Sequence, residues 1–163
     1  RAVGLRGLGN LLEKTIPNWR EFAKDTATWN IEKGFGLTIE DMIRAEATRT
    51  RIFEDISEYF RDFDALLLPA AQVPPFDLSQ EWISEIEGIK LDTYIDWMSV
   101  CCMITVTGLP AISVPGGFTD EGLPVGIQLV GKPNGDLELL KIANAYEAIT
   151  KHHARMPELF KLG

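Results

Sequence analysis

The side chains able to do chemistry in this chain fall into a few groups. Asp92 and Asp96 are four residues apart, a spacing that puts both carboxylates on one face of a helix, either as a solvated stripe or as polar groups lining a substrate pocket. Trp97 follows directly, and an indole on such a helix serves as core or as a ligand wall. Cys101 and Cys102 are adjacent, and neighbours rarely bridge because the intervening peptide is strained; the expectation is reduced core thiols, with a reactive thiol as the alternative. His152 and His153 close the last helix, where protonated imidazoles would complement the negative end of its dipole. A shared metal is disfavoured there, because adjacent helical side chains point about 100° apart. The serines are Ser57, Ser79, Ser84, Ser99 and Ser113, and none sits in a Gly-x-Ser-x-Gly turn. There is also no phosphate-binding glycine loop, no dinucleotide fingerprint and no spaced Cys/His ligand set.

The elements that must position these groups can be read from periodicity. Thr38 and Asp41 form a capping box that opens a long amphipathic helix running to about Arg61, with Ile39, Ile43, Phe53, Ile56 and Phe60 on a face expected to lie on a core. A shorter helix is expected over residues 17–30, carrying Trp19, Phe22 and Trp29. Residues 63–69 read as a buried strand closed by Pro69, and residues 70–87 as a surface excursion with a helical turn near Trp82. Residues 91–106 read as one largely buried helix, since Ile95, Met98 and Cys102 mark one face and Tyr94, Trp97 and Cys101 the next. Two strands follow, over residues 111–114 and 125–130, joined by a turn-rich loop; Pro110 and Pro115 bracket the first, and Gly116 and Gly117 permit a turn. Gly126 predicts a close approach inside the second strand, and Gln128, an amide in an apolar run, must find hydrogen-bond partners, more naturally by tying adjacent loops together than by touching substrate. Asn134-Gly135-Asp136 caps a closing helix whose apolar face is Leu139, Ile142, Ala143, Tyr146 and Ile149. This order argues for an α/β layer structure, helices on a mixed sheet.

Composition bounds the rest. With 163 residues, 45% of them hydrophobic and 25% charged, the chain can bury a core without disulfides or a structural metal. Lys and Arg number 16 against 24 Asp and Glu, a formal net charge of -8, which excludes the concentrated positive field that nucleic acid requires. No apolar stretch approaches the roughly 20 residues of a membrane span, so no membrane partner is expected and a cytoplasmic location is the default. The chain starts at Arg1 rather than Met, from which removal of an upstream segment is expected.

Gly108-Leu109-Pro110, then Ala111-Ile112-Ser113-Val114-Pro115-Gly116-Gly117-Phe118, then Gly122-Leu123-Pro124-Val125-Gly126-Ile127-Gln128-Leu129-Val130-Gly131, resemble the C-terminal region of the amidase signature family. The strand before them and the helix after them stand in the family's order, so the resemblance covers about residues 38–146. It implies the C-terminal part of the amidase signature fold, a mixed β-sheet covered by α-helices, with residues 1–163 as a C-terminal fragment of a single amidase domain whose N-terminal catalytic part is absent. It implies hydrolysis of the carbon–nitrogen bond of linear amides by a serine, cis-serine and lysine triad, with no cofactor and no metal. No serine or lysine here matches the family's signature stretch, so no catalytic residue is assigned and the chain is expected to supply sheet and pocket wall. Family members place substrate-discriminating side chains on the helix ahead of Gly108, which makes Asp96 and Trp97 the substrate-binding candidates. Residues 103–107 lack the asparagine of the transamidase branch, which favours a general amidase over an amidotransferase subunit. The expected partner of the full-length protein is a small-molecule amide, and a homo-oligomer is left open. The rival reading is a non-catalytic α/β binding or scaffold module.

Overall fold

The computed structural model describes residues 2–155; Arg1 lies outside them. The chain forms two compact units that divide between Thr50 and Arg51.

The first unit contains α1 (Ala2–Thr15), a 3-10 turn (Trp19–Glu21) and α2 (Asp25–Phe35). α1 was not anticipated, because Gly4, Gly7 and Gly9 lower helix propensity. Packing overrides that cost at Gly9, where a Cβ would stand 2.5 Å from Ile31 and 2.6 Å from Phe35 of α2, so only glycine lets the two helices approach this closely. The single helix expected over residues 17–30 is two pieces. The 3-10 turn buries Trp19, while Phe22 is exposed and α2 carries on to Phe35. Arg20 joins the pieces, pairing with Glu13 at 2.6 Å and Glu32 at 2.8 Å. It thereby lowers the Glu13 pKa, chiefly by hydrogen bonding, while its own is raised.

α3 (Ile39–Tyr59) begins as the sequence requires. The Asp41 N–H donates to the Thr38 hydroxyl at 3.1 Å, and the Thr38 N–H donates to the Asp41 carboxylate at 3.1 Å, the reciprocal capping box. Its apolar face does not lie on a core as expected: no residue within the helix is buried, and Ile39 and Ile43 are 73% and 65% exposed.

The second unit is built on a three-stranded sheet, β1 (Leu66–Pro69), β5 (Pro124–Val130) and β4 (Ala111–Phe118), in the order β1-β5-β4. The α/β class holds, and the strands of this sheet are antiparallel to one another, where a mixed sheet was expected. Leu66 faces Val130 and Pro69 faces Ile127, while Ala111 faces Val130 from the other side. Alternation then sorts β5 onto two cores. Val130 joins Phe60, Ile104 and Leu109, with Ile56, Tyr59, Leu66 and Leu68 packed around them. Leu129 joins Val114, Leu139 and Ala143, with Ile112, Ile127, Ile142 and Tyr146. The sheet is thus covered by α4 (Ser99–Thr107) on one face and by α5 (Asp136–Thr150) on the other.

Several expectations shift in this unit. β1 alternates rather than being buried throughout, with Leu67 exposed, because helices do not cover both of its faces. The excursion has no helix near Trp82; β2 (Glu85–Ile86) and β3 (Ile89–Lys90) pair as a hairpin whose turn residues Glu87 and Gly88 both have positive φ. Residues 91–106 are not one helix. A 3-10 turn (Asp96–Met98) leads into α4, of which Val100, Ile104 and Thr107 are buried while Met103 and Val106 are exposed. Gly108 ends α4 with φ 70°, a left-handed cap that favours glycine. β4 runs on through Pro115 instead of stopping there, and the register slips between Pro115 and Gly117, a bulge on the sheet's outer strand. The expected turn lies farther on, where Gly122 N–H donates to the Thr119 carbonyl. α5 has the apolar face expected except at Ile149, which is 83% exposed.

Candidate functional site

The C-terminal end of β1, residues 71–76, the 3-10 turn and the start of β5 surround a cleft of about 740 Å³. Its wall is almost wholly apolar: Leu67, Pro74, Phe76, Trp97, Val125 and Ile127 contribute, and no charged side chain lines it. The Phe76 and Trp97 rings meet edge to face with centroids 5.6 Å apart. This geometry fixes both planes and is the favourable aromatic arrangement. The Trp97 indole N–H is buried without a hydrogen-bond partner.

The cleft keeps its shape through contacts between residues distant in sequence. Gln72 Oε1 accepts from the Ser99 hydroxyl at 2.6 Å and from the Val100 N–H at 3.1 Å. The first-turn amides of a helix have no partner inside it, so Gln72 caps α4 from a loop 28 residues away. The Cys101 thiol donates to the Ala70 carbonyl at 3.1 Å, one residue beyond β1. Gln128 Nε2 donates to the Pro69 carbonyl at 3.0 Å, the tie between neighbouring segments that the sequence demanded. At Gly126 a Cβ would lie 3.1 Å from Ala70 and 3.3 Å from the Ser113 hydroxyl, which is the close approach expected there.

The two substrate-binding candidates separate. Trp97 stands in the wall of the cleft, whereas Asp96 is not among its lining residues. The Asp96 carboxylate instead accepts from the Thr93 N–H at 2.7 Å and the Thr93 hydroxyl at 2.9 Å, closing the turn ahead of α4. Asp92 and Asp96 do not share an α-helical face, because the chain is not α-helical at either position. Gln72 and Phe76 were missed by sequence reasoning. The signal was present, since an amide set among apolar residues just before Pro74-Pro75 raises the same question of partners as Gln128.

The other reactive groups are engaged elsewhere or dispersed. Both cysteines are unbridged, but Cys101 is exposed and not a core thiol. The Ser99 hydroxyl bonds to Gln72, and the Ser79 hydroxyl and N–H both donate to Asp77, lowering the pKa of that carboxyl. His152 packs its ring against Phe118. Among the described residues no group of His, Cys, Asp and Glu is placed to hold a metal ion, and no helix is long and apolar enough to cross a membrane. A second apolar cleft, about 660 Å³, opens between residues 52–56 and α4, floored by Ile52, Ile56, Met103 and Val106.

The family model described as Amidase matches residues 7–140. The chain belongs to the amidase family. That finding agrees with the resemblance carried by the glycine and proline blocks around β4 and β5. Among curated amidase relatives, a component of the glutamyl-tRNA(Gln) amidotransferase of Symbiobacterium thermophilum is 40% identical over 123 residues, covering 74% of this chain and 23% of that protein. The protein of the same name from Myxococcus xanthus is 42% identical over 105 residues, covering 64% and 20%. Among solved structures, a bacterial aryl acylamidase of the amidase signature family superimposes with a TM-score of 0.75 at 24% identity, over 90% of this chain and 31% of that one. At that identity the likeness is one of fold. The chain therefore spans about a quarter of the length of the curated amidase relatives it matches, 23% in the first case.

Proposed function

We propose that this chain is the C-terminal part of an amidase that hydrolyses the carbon–nitrogen bond of linear amides to a carboxylate and ammonia or an amine. The observation that carries the reading is the family match across residues 7–140. In this reading the triad of serine, cis-serine and lysine lies in the remainder of a soluble, cytoplasmic enzyme that needs no cofactor. A lysine acting through the bridging serine takes the nucleophile's proton, the alkoxide attacks the amide carbonyl, and water releases the acyl group. The chain contributes sheet and pocket wall, with Trp97 as a substrate contact and Asp96 as the group that sets the turn bearing it. The unburied apolar face of α3 and the open cleft beside α4 support a larger domain, because such surfaces are normally covered.

An alkylphosphonate probe, which traps activated serines, tests this directly. The full-length protein should be labelled at a serine outside residues 1–163; labelling at any of the five serines of this chain would overturn the assignment of roles. A second reading, one component of an amidotransferase that works on glutamyl-tRNA(Gln), is favoured by the names of the curated relatives. Formation of glutaminyl-tRNA by the full-length protein and its partner subunits from an amide donor would select it.

A further inference from the structure

The chemistry of the cleft beside Trp97 narrows the substrate, on the reading that the full-length protein is an amidase. None of the lining residues is Asp, Glu, Lys, Arg or His. An amide that carries its own carboxylate or ammonium, as an amino-acid amide does, would leave those charges unpaired against an apolar wall at a large desolvation cost. A neutral acyl or aryl group loses nothing there, and the edge-to-face pair of Phe76 and Trp97 offers it an aromatic wall of defined shape.

One polar group interrupts that wall, and its orientation is fixed. The Val100 N–H can only donate, so the Gln72 atom it meets at 3.1 Å must be the carbonyl oxygen, and the Ser99 hydroxyl reinforces the same choice at 2.6 Å. The amide of Gln72 is planar, so its NH2 group is held on the opposite side of the side-chain terminus. That NH2 has no bond to the protein among the described residues, while Gln72 itself lines the cleft. A donor pinned by its own carbonyl in a wall without charges selects for an acceptor on a neutral ligand.

We infer that this cleft binds the apolar acyl or aryl portion of a neutral amide, with the Gln72 NH2 donating to a carbonyl or other acceptor oxygen of that substrate. Gln72 is thus a specificity residue of the pocket as well as the cap of α4.

The test uses the full-length enzyme with benzamide, acetamide and glutamine as substrates, and Gln72→Glu as the variant. Glutamate keeps the oxygen that accepts from Ser99 and Val100, so α4 stays capped, but it replaces the donor by an acceptor. Benzamide should be preferred over glutamine by at least about tenfold in kcat/KM, and Gln72→Glu should lower kcat/KM for benzamide about tenfold, the weight of one hydrogen bond. Its melting temperature and its rate of labelling by an alkylphosphonate should not change. A preference for glutamine, or an unchanged benzamide rate in a variant still labelled by the phosphonate, overturns the cleft assignment and leaves the amidase reading standing. Absence of both phosphonate labelling and amide hydrolysis in the parent enzyme overturns the two together. If Gln72→Glu does not fold, Phe76→Ala, on a loop, carries the test. It should cost about tenfold on benzamide and spare acetamide, and equal losses on the two overturn the proposal.

Discussion

Helices α3 and α5 carry amphipathic patterns of similar strength in the sequence, yet they are held in opposite ways. α5 starts at Gly135 without a side-chain cap, and packing holds it, with Leu139 and Ala143 buried against Leu129 and Val114. α3 has a complete capping box and the exposed ion pairs Asp41–Arg44 and Glu46–Arg49, but buries none of its residues. An apolar stripe states that a face needs cover; it does not state which atoms supply the cover. α5 finds them within this chain, and the Ile39 and Ile43 side of α3 does not.

The sharpest way to break the comparison is to truncate one apolar residue from each region. Leu129→Ala, at a side chain 1% exposed, should cost about 2 to 5 kcal/mol of unfolding free energy, because it leaves a cavity between the sheet and α5. Ile43→Ala on α3 should stay within about 0.5 kcal/mol of the parent chain. Denaturant midpoints measured on both variants decide the matter, and a loss at Ile43 equal to that at Leu129 would show that α3 is packed in solution.

Gln128→Leu probes the sheet more gently. It removes the bond to the Pro69 carbonyl and should cost about 1 to 2 kcal/mol, with the loss of hydrogen-exchange protection centred on β1 rather than on β4.

The smallest effect belongs to α3. Thr38→Ala should cost about 0.5 to 1 kcal/mol and fray residues 39–42 without altering exchange in α5. The sign of its pH dependence follows from Asp41. The Thr38 N–H, then the Thr38 hydroxyl, with Arg44 adding to them, hold this carboxyl below its ordinary pKa. A depressed carboxylate contributes stability above its unfolded pKa and loses that contribution as pH falls through the folded one. Acidification through and below the usual carboxylate range should therefore open the first turn of α3 in the parent chain. In Thr38→Ala the same acid titration, followed by amide exchange at residues 39–42, should be nearly flat.

These cases also show how much was legible beforehand. The capping box, β1, the β4–β5 pair, Gly126 and Gln128 were readable because local spacing or a single mismatched residue specifies them. The break at residues 17–18, the loss of helix over residues 91–95 and the passage of β4 through Pro115 were not. Each is decided by tertiary contacts: a buried Trp19, an Asp96 that turns back to Thr93, and a bulge that removes the need for a proline N–H. The cleft was half legible. Trp97 could be named from its segment, but Gln72 is joined to α4 only in three dimensions.

The bulge in β4 has a directional consequence. Among the described residues β1 and β4 each pair with β5 alone, so the sheet has two open margins of different quality. On the β4 side, Pro115 offers no donor and the register slip interrupts the spacing of the others, so a further strand would meet a broken ladder. On the β1 side, Leu66, Leu67 and Leu68 present a regular one before Pro69 ends it. The sheet is therefore terminated on one flank and extensible on the other, and any strand added to it, from the rest of an amidase or from another molecule, meets its better template beside β1.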